Sequence, residues 1–361
     1  MEQLVKEVVI EGFKGVEEGR VELRPLTILV GANNSGKSTV LEALMLGAGP
    51  TRRVPYVIDV GRASALDVVR SLHATLEASG HAFLLRNYTS QRAFIALDLG
   101  YRVVATLFRL FEDGVRVYHP IEASSVEEAR DEALEIVKTG TWREPPAYLG
   151  LGSSEVTGLF KPCSLPKEVL FLHPGLVQAA YRYLKSVWPK VRDLKAPLKV
   201  AELASRISSE SYGNLTMEPF YGGQLSLYVH KPDGSSIRVG DLGDGVQVFL
   251  VAGLLYELTE PGLVLWDDVE SHMNPRALIE ASRWLVELVK RGVQVVVSTH
   301  SLEALRIIAE AVAEEVGEGA VSIELLSLTE GRLKARSMKL SEVEELGKAG
   351  IDVRMVGDVW P

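Results

Sequence analysis

The chain has 361 residues, 47% of them hydrophobic, a single cysteine and a net charge of −9. That length can bury the core of one large or two intimately joined domains, and the lone Cys163 excludes an intrachain disulfide and a cysteine-based metal cluster. With no run of 18 uncharged apolar residues and no basic-apolar-small leader, a cytoplasmic protein without membrane contact is expected, and its negative charge confines any nucleic-acid contact to a local patch.

Residues 1–30 alternate as strands do, with Val8, Ile10, Phe13, Val21 and Leu23 apolar and turns at Gly12, Gly15 and Gly19. They read as an antiparallel edge feeding a central strand at Leu26-Thr27-Ile28-Leu29-Val30. Directly after it, Gly31-Ala32-Asn33-Asn34-Ser35-Gly36-Lys37-Ser38-Thr39 fits the pattern G-x-x-x-x-G-K-[ST] without a mismatch. A triphosphate presents crowded anionic oxygens. Backbone N–H groups must turn inward to meet them, which glycines at 31 and 36 permit. Lys37 is placed to reach the β and γ phosphates of ATP, and the Ser38 hydroxyl to ligate Mg2+. A helix opening at Ser38 and running through Leu46 aims its N-terminus at the same phosphates.

Gly49-Pro50 stops that helix, and residues 51–80 mix polar and helical signals. From Arg92 to His119 a meander of strands is expected, at Ala93–Leu99, Tyr101–Leu110 and Val115–Tyr118. Gln91, just before it, is a candidate glutamine-loop residue. Val126–Lys138 reads as an acidic amphipathic helix, 139–167 is rich in Gly, Ser and Pro, and 175–209 reads as helix broken near Pro189 and Pro197. Two β runs follow, Gln224–His230 and Ser236–Val239, and the remainder alternates helix and strand. The expected division is an N-terminal lobe at 1–119, a helical insertion at 120–220 and a C-terminal lobe at 221–361.

Three later segments bear on the phosphate loop. Leu263-Val264-Leu265-Trp266-Asp267-Asp268 is an apolar strand ending in two acids, the form in which a Mg2+ ligand (Asp267) and a water-orienting base (Asp268) face a phosphate loop. The alternative is that the acids cap the following turn and helix. Gly292–Thr299 is a β run ending at His300, on the edge where ligands bind in open α/β sheets, so His300 either reaches the γ-phosphate or packs as an ordinary histidine. Between them, Gly243, Asp244 and Gly245 start an apolar helix, as an anion site facing a neighbouring subunit's ATP or as a simple helix cap.

With these motifs in order the chain resembles the ABC-type ATPases of the SMC, RecF and OLD group, in particular stand-alone AAA-domain members. The likeness rests on Val8-Val9-Ile10-Glu11-Gly12-Phe13-Lys14-Gly15, on 25–39, and on the succession of phosphate loop, signature, double acid and histidine. It implies a P-loop α/β fold of ABC-ATPase type, with a mixed sheet, an antiparallel β subdomain and a helical insertion. It also implies that Asp267 is the Walker B aspartate, that Asp268 occupies the catalytic glutamate position, that Ser271–Asn274 form the D-loop and that His300 is the switch histidine. A homodimer sandwiching two ATP molecules follows, with Gly243–Gly245 facing the partner's nucleotide. The chain departs from the group where Asp268 is a methylene shorter than glutamate and where Gly243 and Asp244 replace the usual signature serine and glycine. Only some 60 residues follow His300, too few for the Toprim nuclease domain of OLD proteins.

Residues 181–199 interleave Arg182, Lys185, Lys190, Arg192 and Lys195 with Tyr181, Tyr183 and Trp188. Such a run contacts DNA through phosphates and stacked bases, or else is a solvated face whose aromatics pack inward. The tail reads as a hairpin at Val321–Leu328 and Arg332–Arg336, then a helix at Ser341–Lys348 with a capping box from Ser341 and Glu344. The expected function is Mg2+-dependent ATP hydrolysis coupled through dimerisation to DNA repair or anti-phage defence. The alternative is a slow nucleotide-gated scaffold for a separate effector protein, such as a nuclease or toxin.

Overall fold

The computed structural model describes residues 4–76, 78–208 and 210–355. The chain opens with β1 (Glu7–Phe13), β2 (Val16–Glu22) and β3 (Leu26–Val30), then α1 (Lys37–Gly47), the small hairpin β4 (Arg53–Val57) and β5 (Arg62–Ser64), and α2 (Ala65–His73). The meander β6 (Arg92–Asp98), β7 (Val103–Phe111) and β8 (Gly114–Ala123) leads through α3 (Val126–Thr139) to β9 (Ala147–Leu149), β10 (Val156–Thr157) and β11 (Val169–Leu172). Next come α4 (Val177–Asp193) and α5 (Ala196–Ile207), the meander β12 (Asn214–Pro219), β13 (Leu225–His230) and β14 (Ser236–Arg238), and α6 (Asp244–Thr259). The chain continues with β15 (Leu263–Trp266), α7 (Pro275–Lys290), β16 (Gln294–Ser298), α8 (Leu302–Val316), β17 (Val321–Thr329), β18 (Arg332–Met338) and α9 (Leu340–Lys348).

Thirteen of these strands form one sheet, in the order β10-β9-β8-β7-β6-β1-β2-β18-β17-β3-β16-β15-β11. From β17 to β11 every neighbour is parallel, with Ile28 opposite both Val297 and Ile323 and Trp266 opposite both Val297 and Leu172. These strands are apolar along their length: β3, β11, β15 and β16 are buried at every position, as a sheet covered on both faces requires. Beyond β17 the pairing is antiparallel except for a short parallel contact between β18 and β2. Side chains there alternate between two layers. Val8 and Ile10 join the main core, whereas Val9 turns to a second cluster with Phe94, Leu107, Tyr118 and Ile121, which Ala129, Ala133 and Ile136 of α3 cover.

Several expectations give way here. β1 and β2 are interior strands rather than an edge, and Gly19 lies within β2, opposite Leu333 of β18, rather than in a turn. The β17–β18 hairpin closes over that edge from the far end of the chain, a pairing no local pattern reveals. Residues 120–220 are also not purely helical. They carry the end of β8 together with β9, β10 and β11, and β11 is the outermost strand of the parallel block. Within this stretch α4 and α5 pack against α6. Pro189 lies inside α4, whose backbone kinks at Val187, and Pro197 sits in the first turn of α5, where its missing N–H is no loss. In the tail, Glu342 rather than Glu344 reaches back, accepting from the Lys339 amide at 2.7 Å, so α9 starts a residue earlier than expected.

Candidate nucleotide site

At the carboxyl ends of the parallel strands the backbone must turn sharply, and polar residues replace the apolar runs. After β3 the chain passes through left-handed conformations at Asn34 (φ 63°) and Gly36 (φ 97°) before α1 begins at Lys37. Gly31 admits no side chain, because a Cβ would lie 2.4 Å from the Leu326 carbonyl oxygen and 2.6 Å from Ser35 Oγ. No acidic residue occupies the first turn of α1, so nothing offsets the positive end of its dipole. Asn33, Asn34 and Ser38 are exposed, while Ser35 and Thr39 are buried. The Ser35 hydroxyl has no hydrogen-bond partner among the described residues, an orphaned polar atom inside the loop. Lys37 is 5% exposed and its ammonium donates to the Gly31 and Ala32 carbonyls, both at 3.0 Å, curled into the cradle it would share with phosphates. Burial lowers its pKa, against the opposing pull of Asp268, Asp267 and Glu270.

Asp267, 4% exposed, follows β15 directly, and its amide donates to Leu172 of β11 at 2.9 Å. Ser298, the last residue of β16, orients both acids. Its hydroxyl donates to Asp267 Oδ1 and accepts from the Asp268 amide at 2.9 Å. Asp268 sits at φ 50°, a strained position that turns its side chain away from the strand, and burial followed by repulsion from Asp267 raises its pKa. His300 Nε2 stands 3.6 Å from Asp268 Oδ1. The structure thus brings Lys37, Asp267, Asp268 and His300 to one sheet edge, as the parallel topology dictates.

Four contributors lie outside the motifs. Glu270 accepts from the His300 amide at 2.6 Å through one oxygen, and its other oxygen is buried without a partner among the described residues. His173 directly follows β11 and acts electrostatically on Asp268, and its Nδ1 accepts from the Gly175 amide at 2.9 Å. Ser298 is the third, and Arg354 the fourth, donating to the His300 carbonyl from the far end of the chain. An apolar run ending in a polar residue would have pointed to His173 and Ser298; nothing local marks Arg354. Gln91 lies in the antiparallel wing, pairing with Leu110, and does not join the site.

Gly243, Asp244 and Gly245 open α6 without a side-chain cap. Gly245 is pressed against the Ser271–Asn274 segment, where a Cβ would fall 2.5 Å from the His272 carbonyl, and Asp244 Oδ2 lies 3.7 Å from His272 Nδ1. No hydrogen bond or ion pair among the described residues joins this helix start to the phosphate loop. On α4 and just after it, Arg182, Lys185, Lys190, Arg192 and Lys195 are all exposed. The aromatics between them face inward. Tyr183 is buried, Tyr181 donates to Gln247 of α6 at 3.3 Å, and Trp188 packs against the core. Base stacking by these rings is therefore not available, and the stretch keeps only its charge.

The residues fit a Mg2+–triphosphate. Ser38 offers an exposed hydroxyl beside Lys37, and Asp267 Oδ2 has no hydrogen bond among the described residues. Both are hard oxygen donors suited to Mg2+, and no group of three or more metal-binding side chains is present among the described residues, so phosphate and water oxygens would complete the shell.

Comparison with known proteins agrees with this geometry. Residues 160–306 match the family model described as AAA domain, putative AbiEii toxin, Type IV TA system. Residues 4–54 match the AAA ATPase domain model. The first contains Asp267, Asp268 and His300, the second the phosphate loop. No curated protein sequence matches the chain. Among solved structures, the chain is similar to an Smc head bound to the C-winged helix domain of ScpA, with a TM-score of 0.53 at 15% identity over 94% of this chain and 100% of that one. It is also similar to an Smc head domain with an extended coiled coil bound to the C-terminal domain of ScpA derived from Pyrococcus furiosus, with a TM-score of 0.52 at 12% identity over 96% and 98%. Such identities establish the fold. The two family-model matches mark AAA ATPase-domain segments at 4–54 and 160–306, within a chain whose fold is that of the Smc head structures.

Proposed function

We propose that the chain binds ATP with Mg2+, that two copies close head to tail on the nucleotide, and that hydrolysis is slow. The observation that carries this is the convergence of Lys37, Asp267, Asp268 and His300 at one sheet edge beside an unpartnered Ser35 hydroxyl. Lys37 turns from its loop carbonyls to the β and γ oxygens, while Asp267 and Ser38 hold the ion. Bound Mg2+ neutralises charge developing on those oxygens. Asp268, its charge disfavoured by burial and by Asp267, accepts a proton from water and orients it, and His300 donates toward the terminal phosphate. The uncapped start of α6 at Gly243–Gly245, remote in its contacts from its own loop, serves the nucleotide of the second copy.

The dimer would then work on DNA, in repair or in defence against foreign DNA, through the exposed charges of Arg182, Lys185, Lys190, Arg192 and Lys195. The short Asp268 and the carboxylate of Asp244 near the expected partner phosphate favour a second reading, in which bound ATP gates a scaffold for a separate nuclease or toxin.

Single-turnover hydrolysis and light scattering separate the readings. Lys37→Ala is expected to weaken ATP binding more than about 100-fold. Asp268→Asn is expected to keep ATP binding, to stop hydrolysis and to hold the dimer closed. Equal slow rates for wild type and Asp268→Asn, with ATP-dependent dimers in both, support the scaffold. ATP binding unchanged by Lys37→Ala sinks the site itself.

A further inference from the structure

After the β17–β18 hairpin, α9 packs on α8, and α8 starts one residue beyond the capping Ser301 that follows His300. The chain then returns to the nucleotide edge in a 3-10 turn at Val353–Met355. Val353 is buried and anchors this turn, and Asp352 shapes it by accepting from the Arg354 amide at 2.9 Å. The Asp352 carboxylate also grips the Arg354 side chain through Nε and Nη2, and Nη1 donates to the His300 carbonyl. The guanidinium has five N–H donors, and contacts among the described residues use three of them, which leaves two. Arg354 lines a cavity of about 90 Å³ together with Ala32, Asn33, Asn34, Ser35, Leu326 and Leu328. The Ser35 hydroxyl, buried and without a hydrogen-bond partner among the described residues, belongs to the loop that walls this cavity. A pre-oriented arginine and the outer turn of a phosphate loop thus share one small space beside His300.

We propose that Arg354 is a specificity residue of the nucleotide site, a cation supplied from the same chain that recognises the terminal phosphate of a nucleoside triphosphate and so distinguishes ATP from ADP. A planar fork held on one edge by a carboxylate offers its other edge to phosphate oxygens, a match that an ammonium cannot reproduce. With Lys37 reaching the β and γ oxygens from one side, the terminal phosphate would extend toward His300, whose N–H and C=O are already held by Glu270 and Arg354. Asp352 is a positioning residue for that fork. The inference rests on the nucleotide-site reading given above.

The test is equilibrium binding of fluorescent N-methylanthraniloyl ATP and ADP to the full chain with Mg2+, for wild type, Arg354→Ala, Arg354→Lys and Lys37→Ala, each checked for an unchanged melting temperature without nucleotide. Arg354→Ala is expected to weaken the ATP analogue about tenfold while changing the ADP analogue less than about twofold, and Arg354→Lys to recover part of the loss. Lys37→Ala is expected to weaken both. Equal effects on the two analogues, or none, overturn the role of Arg354 while leaving the site intact. Tighter ATP binding by Arg354→Ala also overturns it, marking the turn as a cover. If wild type binds neither analogue, or Lys37→Ala binds both as well as wild type does, the site reading falls and the inference with it. Should Arg354→Ala melt early, the same ratio of ATP to ADP affinity measured on Arg354→Lys decides.

Discussion

The parallel block and the antiparallel wing share one sheet but solve different problems. In the block, β3, β11, β15 and β16 are buried on both faces, so chemistry is confined to their carboxyl ends, where Lys37, His173, Asp267, Ser298 and His300 gather. In the wing, β6–β8 and β1 alternate between the main core and the cluster under α3, and their buried polar groups bond to one another rather than to a site. The difference teaches that the block gathers the candidate site residues while the wing carries the shape on which the block leans. The regions meet at a buried contact. Lys14, in the turn between β1 and β2, donates to Glu42 of α1 at 2.8 Å, and His73 of α2 lies 2.9 Å from the same carboxylate. Burial alone would raise the Glu42 carboxyl, but Lys14 and His73 outweigh it and hold it below its ordinary value.

That joint offers the sharpest way to break the comparison. Glu42→Ala leaves Lys14, only 15% exposed, without its counter-charge and opens space beneath α1, at an expected cost of about 3 kcal/mol in chemical denaturation. If wing and block are mechanically joined there, the variant also loosens α1 and weakens ATP binding. A stability loss below about 1 kcal/mol would show the joint to be incidental.

A smaller effect isolates the wing by pH. His119 of β8 bonds Thr106 through Nδ1 at 2.8 Å and Ser164 through Nε2 at 2.8 Å, and burial, then the charge of Lys161, pushes it down to about 3. The folded protein keeps it neutral while the unfolded chain protonates it near 6.5. Its contribution is therefore complete above that value and is lost as pH falls toward 3, about 2 kcal/mol between pH 6.5 and 5. His119→Gln should flatten this part of the stability profile and leave nucleotide affinity at pH 7 unchanged. An unaltered slope from pH 7 to 5 would count against the assignment.

The same contrast explains what could be read without coordinates. The phosphate loop, Asp267, Asp268 and His300 were legible because a parallel strand writes its site as an apolar run followed by polar residues, all local. The wing's strands at 92–119 were legible by alternation. What escaped depends on distant pairing. β11 follows a stretch rich in Gly, Ser and Pro and joins the parallel block, as its outermost strand, only by pairing with β15, bringing His173 with it. Glu270 looks like any acid in a turn until His300 N–H is placed against it. Arg354 follows a surface helix and acquires meaning only because α9 brings the chain back to His300.

The aromatics of α4 allow the mildest of these tests, and the one that separates packing from recognition. Tyr181 was grouped with the basic run as a base-stacking ring, yet its hydroxyl donates to Gln247, one turn into the helix that starts at Gly243–Gly245, and burial raises its pKa. Gln247 in turn donates to the Leu242 carbonyl at 2.8 Å, so the ring hydroxyl braces the approach to α6. Tyr181→Phe removes one neutral hydrogen bond at constant shape, for about 1 kcal/mol of stability. DNA affinity at low salt should stay within about twofold of wild type, since no base stacks on this ring. Reversal of Arg182 and Lys185 to Glu should instead lower any DNA affinity and its salt slope without the stability loss. A Tyr181→Phe variant that keeps its stability but loses DNA would return the ring to the surface, and with it the sequence reading of α4 as a stacking platform.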